Sequence, residues 1–256
     1  MKITKLNLLL GFIFIISTNL SFAQKQAIEE SSFTTNDLIE STKKIKEVFN
    51  FEEHQYDDLI GEEINQVCAG CHGEFGMGGK DGKYPRLAGM PAYNTVKEIV
   101  LFRERLRPNI AMVEHVEERQ LSNSEVMDIA IYLNKIKLKN RLSVIDETAP
   151  DFDAYARLQE AKSIIQIGIS EGDLKKGRKL YKKECRSCHG KLGEGNQKDA
   201  TPMLAGQYTK YLWRQIDFYL EGKRLHDEAD PEEEFLKSFS HEQLRDILAY
   251  ISTLDD

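Results

Sequence analysis

The chain has 256 residues, of which 35 are Lys or Arg and 42 are Asp or Glu, so its formal net charge is −7. This acidic balance argues against nucleic acids and anionic lipids as partners, and it favours proteins that carry a basic docking patch. The length allows one or two domains. Because no long apolar run follows the N-terminal segment, we expect the mature protein to be soluble.

The chain begins with the pattern of a secretory signal peptide. Lys2 and Lys5 precede an apolar run from Leu8 to Ile16, and small residues stand at Ser21 and Ala23. The run is shorter than the roughly 20 residues that a transmembrane helix needs. We therefore expect residues 1–23 to be removed after Ala23 and the protein to be periplasmic; an uncleaved membrane anchor is the alternative.

A charged N-terminal extension, residues 24–52, comes next. It contains a plausible helix from Asp37 to Phe49. His54, just after it, is expected to be a surface residue. A second helix, from about Tyr56 to Val67, leads into the first of two similar motifs.

Those two motifs are CAGCHG and CRSCHG, and each contains Cys-x-x-Cys-His, the attachment site of a c-type haem. Two thiols add to the haem vinyl groups, and the following His can bind the iron. A structural zinc site and a thioredoxin-type redox pair are weaker readings, since the motifs lie more than a hundred residues apart and no βαβ pattern surrounds them. We expect two covalently attached haem c groups, held by all four cysteines of the chain: Cys68, Cys71, Cys185 and Cys188.

Each motif is followed by the same series of elements. A Gly-rich loop leads to an amphipathic helix, about Tyr93 to Leu106 in the first case and Thr209 to Leu220 in the second. A closing helix then starts at Ser122 or Ser240, with apolar residues at helical spacing. Each of these serines is followed three residues later by Glu or Gln, which predicts a capping box.

The two series are an internal repeat with a spacing of 117 residues. Beyond the motifs, PRLAG at 85–89 aligns with PMLAG at 202–206, and Arg107 aligns with Arg224. We therefore predict an all-α protein of two units, residues 53–138 and 172–256. The segment 139–171 between them is expected to be a helical linker, with a helix from Asp153 to Ile165.

The motif, the P-x-L-A-G segment and the capped final helix resemble a class I cytochrome c domain, and two in tandem are similar to diheme cytochromes c of the c4-like type. The resemblance implies that each unit wraps one haem in three or more helices. It also implies that the first and last helices cross near an aromatic residue, which gives packing roles to Tyr132 and Tyr250. It further implies that His72 and His189 are the proximal iron ligands. Their Nδ1–H groups would donate to the backbone carbonyls of Pro85 and Pro202, respectively.

The sixth iron ligand distinguishes the two units. In the family a Met follows the Arg and precedes the closing helix, and Met112 stands at that place in the first unit, with His115 as runner-up. Met112 aligns with Ala229 in the second unit, so the best remaining donor there is His226. Alternatives for the second haem are Met203, an open site, or His241.

The resemblance implies a periplasmic electron carrier rather than an enzyme, and we assign no catalytic residue. Its partners would be redox proteins: a donor dehydrogenase or quinol-oxidising complex, and an acceptor oxidase or reductase. One alternative is an electron-accepting subunit of a dehydrogenase that oxidises sulfur compounds or alcohols. Another is an enzyme with a reactive second haem.

Overall fold

The computed structural model of the protein describes residues 35–79, 81–226 and 235–254. Within these ranges the chain forms helices and two isolated β-bridges but no strand. In the first half the helices are α1 Thr35–Val48, α2 Asp58–His72, α3 Ala92–Arg103, α4 Ile110–Val116 and α5 Asn123–Lys135. In the second half they are α6 Ala154–Lys162, α7 Leu174–Leu180, α8 Arg186–His189, α9 Thr209–Leu220 and α10 His241–Ile251, with a π-helical turn Tyr181–Cys185 and a 3-10 turn Phe235–Ser238. The all-α prediction is confirmed.

Capping boxes fix the start of both closing helices. The Ser122 hydroxyl accepts a hydrogen bond from the Glu125 amide, and the Glu125 carboxylate accepts one from the Ser122 amide at 2.7 Å. Ser240 and Gln243 repeat the arrangement before α10. Since a helix leaves its first amides without backbone partners, these side chains determine where each helix begins.

The first and last helices of each unit cross at a glycine. A Cβ atom on Gly61 of α2 would lie 2.7 Å from Cβ of Tyr132 on α5. A Cβ atom on Gly177 of α7 would lie 1.8 Å from the carbonyl oxygen of Asp246 and 3.1 Å from Cβ of Tyr250. Only glycine permits such close backbone approach. Both tyrosines pack at these crossings, in the structural role that the resemblance implies.

A buried carboxylate ties each crossing to the start of the first helix. Asp128 accepts a hydrogen bond from the Asp57 amide at 3.1 Å, and Asp246 accepts one from the Asp173 amide at 2.8 Å. In the first unit, Asp128 also lies 2.7 Å from Nε2 of His54. The expectation that His54 is a surface residue was wrong: its side chain is only 6% exposed, because it lies against this carboxylate.

Helix α1 belongs to the core of the first unit. Ile45 and Phe49 are buried in the same apolar cluster as Val96 of α3 and Ile129 of α5. The sequence analysis placed this N-terminal extension outside the first unit. In the structure the extension packs against that unit and completes its apolar core.

The linker between the units folds back on itself. Lys139 and Ile164 form an isolated parallel bridge, and Leu138 and Ile165 share a small buried cluster with Tyr208 of the second unit. Helix α6 lies outside this cluster and has no buried residue. The linker thus contributes to the contact between the units through Ile165, which packs with Leu138 and Tyr208.

Two pairs of buried residues join the units, and the two pairs occupy equivalent positions in the repeat. The Arg86 amide donates to Oε1 of Gln207 at 3.0 Å, and Nε2 of Gln207 donates to the Arg86 carbonyl at 3.0 Å. At the equivalent repeat positions, the Met203 amide lies 3.3 Å from Sδ of Met90. The repeat seen in the sequence is therefore also a repeat of contacts across the interface.

In the parts of the chain that the structure describes, no helix has the length and apolar character needed to cross a membrane. The predicted signal peptide and its cleavage after Ala23 lie outside the described residues.

Candidate functional site

The first motif occupies the C-terminal end of α2. Cys68, Cys71 and His72 lie three and four residues apart, so they share one face of the helix. The helix ends at Gly73, whose φ of 80° turns the chain away immediately after His72. This arrangement presents two thiols and one imidazole to the same region.

His72 is fixed in the tautomer that an iron ligand needs. Its Nδ1 lies 3.0 Å from the carbonyl oxygen of Pro85. Burial lowers the pKa of His72, and the positive charge of Arg107 adds to this effect. A neutral ring that donates from Nδ1 carries its lone pair on Nε2, the atom that binds metal.

The second motif repeats this geometry at the end of α8. Nδ1 of His189 lies 2.9 Å from the carbonyl oxygen of Pro202. Burial lowers the pKa of His189 to about 4, with smaller contributions from His226 and Lys97. Gly190, with φ of 87°, ends the helix as Gly73 does in the first unit.

The four cysteines differ in exposure. Cys68 and Cys185 are half-buried, whereas Cys71 and Cys188 are exposed. Burial raises the pKa of the Cys68 thiol, and it raises the pKa of the Cys185 thiol to about 11. Among the described residues, no three or more His, Cys, Asp or Glu side chains are grouped so that they could hold a metal ion.

His226 lies close to His189. The centroids of the two rings are 6.2 Å apart, close to the separation expected for two imidazoles that bind one metal ion from opposite sides at about 2 Å each. The ring of His226 is stacked on Phe235 and meets the edge of Tyr219. The structure thus brings together the two residues proposed as axial ligands of the second iron.

The alternatives for that position have other surroundings. Met203 follows Pro202, so it lies on the Nδ1 side of His189, and it is buried against Met90. His241 is stacked on Trp213 at 4.8 Å between ring centroids. These contacts indicate packing roles for both residues.

In the first unit the distal side is less defined. Met112 lies on the short helix α4, half-buried against the first apolar core. Its amide is capped by the Asn109 side chain at 3.4 Å. His115, the runner-up, is exposed at the end of the same helix. The assignment of Met112 as an iron ligand stays a prediction.

A charged cluster lies between the two sites. Glu98 of α3 accepts hydrogen bonds from Arg107 at 2.5 Å and from Arg224 of the second unit at 2.6 Å. Gln215, the repeat counterpart of Glu98, accepts from the same two arginines at 2.9 Å and 2.7 Å. Burial alone would raise the pKa of Glu98, but the arginine charges outweigh burial and lower it to about 2.

Comparison with known proteins supports the fold and the haem chemistry. Residues 174–255 match the sequence model of the family described as Cytochrome c. The thiosulfate dehydrogenase electron acceptor of Stutzerimonas stutzeri is 28% identical over 188 residues, which cover 73% of this chain and 79% of that protein. Cytochrome c4 of Azotobacter vinelandii is 25% identical over 180 residues, covering 67% and 76% respectively. The second unit therefore matches the Cytochrome c family in sequence, and the chain as a whole is similar to cytochromes c4.

Solved structures share the fold of this chain. Reduced cytochrome c4 from Pseudomonas stutzeri superposes with a TM-score of 0.56 at 21% identity, covering 78% of this chain and 100% of that one. Thiosulfate dehydrogenase from Marichromatium purpuratum gives 0.58 at 21% identity, covering 77% of this chain and 40% of that one. Two class I cytochrome c domains in tandem therefore form the fold of this chain.

Sequence reasoning missed several residues around the two histidines. The ring of Tyr84 meets His72 with 6.0 Å between centroids, and Tyr219 and Phe235 contact the ring of His226. Tyr84 directly precedes Pro85, so its place in the chain was a usable signal. The other two are ordinary aromatic positions in a helix and a turn, without a motif to mark them.

Proposed function

We propose that this protein is a cytochrome that holds two covalent haem c groups and relays single electrons between redox partner proteins. The observation that carries the proposal is the repeated geometry of His72 and His189, each with Nδ1 on the carbonyl of a proline 13 residues later. Two equivalent proximal sites in one chain support two haems. The redox chemistry belongs to the cofactor, whereas the protein holds, orients and tunes it.

In this proposal Cys68 and Cys71 bind the first haem, and Cys185 and Cys188 bind the second. His72 and Met112 are the axial ligands of the first iron. The axial ligands of the second iron are His189 and His226, a choice supported by the 6.2 Å between their rings. Because Met ligation raises the reduction potential, electrons would enter at the second haem and leave from the first.

We further propose a periplasmic location. The signal-peptide pattern before Ala23 supports export, and c-type haems are attached outside the cytoplasmic membrane. A donor dehydrogenase or quinol-oxidising complex and an acceptor oxidase or reductase would be the partners.

A second candidate function is supported by the names of two relatives. The proteins from Stutzerimonas stutzeri and Thiomonas intermedia are both described as thiosulfate dehydrogenase electron acceptors. This cytochrome would then accept electrons from a thiosulfate-oxidising dehydrogenase. Rapid reduction by such an enzyme with thiosulfate, and slow reduction without the enzyme, would favour this role over that of a general carrier.

The enzyme alternative requires an open position on the second iron. Here the proximity of His226 to His189 favours a six-coordinate, low-spin haem. A high-spin ferric spectrum that changes on addition of cyanide or azide would support the enzyme instead.

The proposal is tested by haem counting in protein produced with a c-type maturation system. A pyridine haemochrome assay should give two haems per chain for the wild type. It should give one for Cys68→Ala/Cys71→Ala and one for Cys185→Ala/Cys188→Ala. One haem in the wild type, or an unchanged count in either double variant, would contradict the assignment.

The distal ligands need a separate spectroscopic test. Near-infrared magnetic circular dichroism detects the charge-transfer band of a Met–iron bond. The band should disappear in Met112→Ala, whereas His226→Ala should change the spectrum of the second haem only. A band that survives in Met112→Ala would show that another residue binds the first iron.

A further inference from the structure

Helix α6 of the linker has a charged inner face and an apolar outer face. Arg157 and Glu160, on the inner side, have only 17% and 18% of their side chains exposed. Tyr155 and Leu158, on the outer side, are 71% and 55% exposed. A helix on the surface of a globular protein ordinarily has the opposite arrangement, with its apolar residues turned to the core. The reversal points to a binding role for the outer face.

Ion pairs and hydrogen bonds on the inner face hold α6 in this orientation. Nε of Arg157 lies 2.8 Å from the Glu147 carboxylate, and the Arg157 guanidinium donates to the Ser143 carbonyl at 2.9 Å. The Glu160 carboxylate lies 3.0 Å from Nζ of Lys139 and accepts from the Ser143 amide at 3.1 Å. Rotating the helix to bury its apolar side would break all four contacts, so the fold itself keeps that side exposed.

The extended segment before α6 adds to the apolar surface. Val144 is fully exposed, and Leu142 and Ile145 are 38% and 47% exposed. Ile145 lines the same open cleft as Ala156 of α6, so the segment and the helix are neighbours. Together the exposed side chains present roughly 400–500 Å² of apolar surface, the size of patches that serve as interaction sites. We name them the linker patch: Leu142, Val144, Ile145, Tyr155 and Leu158.

The two ends of α6 carry opposite charges. Asp151 and Asp153 lie at its start and Lys162 lies at its end, and all three residues are exposed. The contact of Lys162 with Glu74 is long, at 3.9 Å, and exposed, so it is weak. When two copies of one helix pack antiparallel, the start of each lies beside the end of the other. Acidic groups would then meet a basic group at both ends of the pair.

We propose that the linker patch binds the linker patch of a second copy of this chain, with the two α6 helices antiparallel about a twofold axis. A surface that is complementary to itself forms a closed dimer and leaves no patch free for further copies. The patch is smaller than the roughly 800 Å² per partner of a standard interface, so the dimer should be weak and depend on concentration. This contact goes beyond electron transfer and does not depend on it.

Sedimentation velocity of the mature holoprotein tests the proposal. Between about 5 and 500 µM the wild type should shift from the mass of one chain to that of two. Tyr155→Ser/Leu158→Ser should raise the dissociation constant of the dimer about tenfold or more. Leu59→Ser/Ile169→Ser is the control, because both residues are 70% exposed and lie outside the patch; it should dimerise as the wild type does.

Charge reversal tests the antiparallel arrangement and separates it from a folding defect. Lys162→Glu should weaken the dimer about tenfold, because it places a like charge beside the acidic start of α6 in the second copy. Adding Asp151→Lys to the same chain should restore affinity, which a misfolded variant could not do. Failure of this rescue would contradict the proposed arrangement.

The mass of a single chain throughout the concentration range would overturn the proposal. A dimer that the patch variant and its control weaken equally would also overturn it, since the contact would then lie elsewhere. If the wild type stays monomeric and Tyr155→Ser/Leu158→Ser loses binding to a thiosulfate-oxidising dehydrogenase, the patch belongs to that enzyme instead. Haem counting in the same variants reports separately on the proposed function.

Discussion

Glu98 of the first unit and Arg224 of the second form an ion pair of 2.6 Å across the interface, with only 18% and 9% of their side chains exposed. Arg107 completes the group at 2.5 Å from the same carboxylate. Glu98 and Gln215 occupy equivalent positions in the repeat, as do Arg107 and Arg224. The two halves of the cluster therefore differ in one respect: the acceptor is a carboxylate in the first unit and an amide in the second. The two units are joined by a charged contact that neither contains alone.

Replacing this carboxylate should weaken the contact between the units. Glu98→Gln leaves two buried arginines without a counter-charge, although it preserves hydrogen-bond acceptors. We expect a loss of about 1–3 kcal/mol in the free energy of unfolding, measured by chemical denaturation. Glu104→Gln is the control, since Glu104 pairs with Lys44 at 3.9 Å on the surface and should cost about 0.5 kcal/mol or less. Equal losses would contradict a special role for Glu98.

The same carboxylate makes stability depend on pH. Its pKa is about 2 in the folded protein and ordinarily 4.5, so the folded state binds the proton less readily than the unfolded state. The stabilisation is complete above pH 4.5 and is lost as the pH falls towards 2. The difference in unfolding free energy between wild type and Glu98→Gln should therefore shrink between pH 6 and pH 3. A constant difference over that range would show that the charge is not responsible.

The helix crossing of the second unit should not tolerate a methyl group. Because a Cβ atom on Gly177 would lie 1.8 Å from the Asp246 carbonyl oxygen, Gly177→Ala must push α7 and α10 apart. We expect a cost of about 3 kcal/mol in thermal or chemical unfolding. Gly168→Ala, where a Cβ atom meets nothing within 4 Å, should stay within about 0.5 kcal/mol of the wild type. A tolerated Gly177→Ala would mean that the helices are not in close contact.

His54 should contribute to stability through Asp128. Removing the imidazole in His54→Ala leaves the buried carboxylate with the Asp57 amide but without its 2.7 Å partner. The expected loss is about 1–3 kcal/mol in unfolding free energy. Gln55→Ala, at the exposed neighbouring position, should leave the protein unchanged within error. If both variants unfold alike, the contact does not stabilise the fold.

Local patterns in the sequence predicted much of this structure. The capping boxes depend on residues three apart, and the repeat spacing revealed two similar units. The hydrogen bonds of His72 and His189 to Pro85 and Pro202 are present, although the iron-binding role of these residues stays a prediction. Such features are readable because their partners are near in sequence or marked by a motif.

Contacts between distant residues could not be predicted in the same way. Glu98 and Arg224 are 126 residues apart, and nothing local distinguishes them from surface charges. Burial of His54 depends on Asp128, 74 residues away. The distal ligand of the second unit was inferred by elimination, because the motif that marks it in the first unit is absent there.

The central claim is that the two haems differ in their distal ligands and therefore in potential. Spectroelectrochemical titration of the wild type and Met112→Ala tests it most directly. We predict two separate one-electron steps in the wild type, of which only the higher moves down in Met112→Ala, since a Met ligand raises the potential relative to His. A single coincident step in the wild type, or a shift of the lower step in Met112→Ala, would contradict the account.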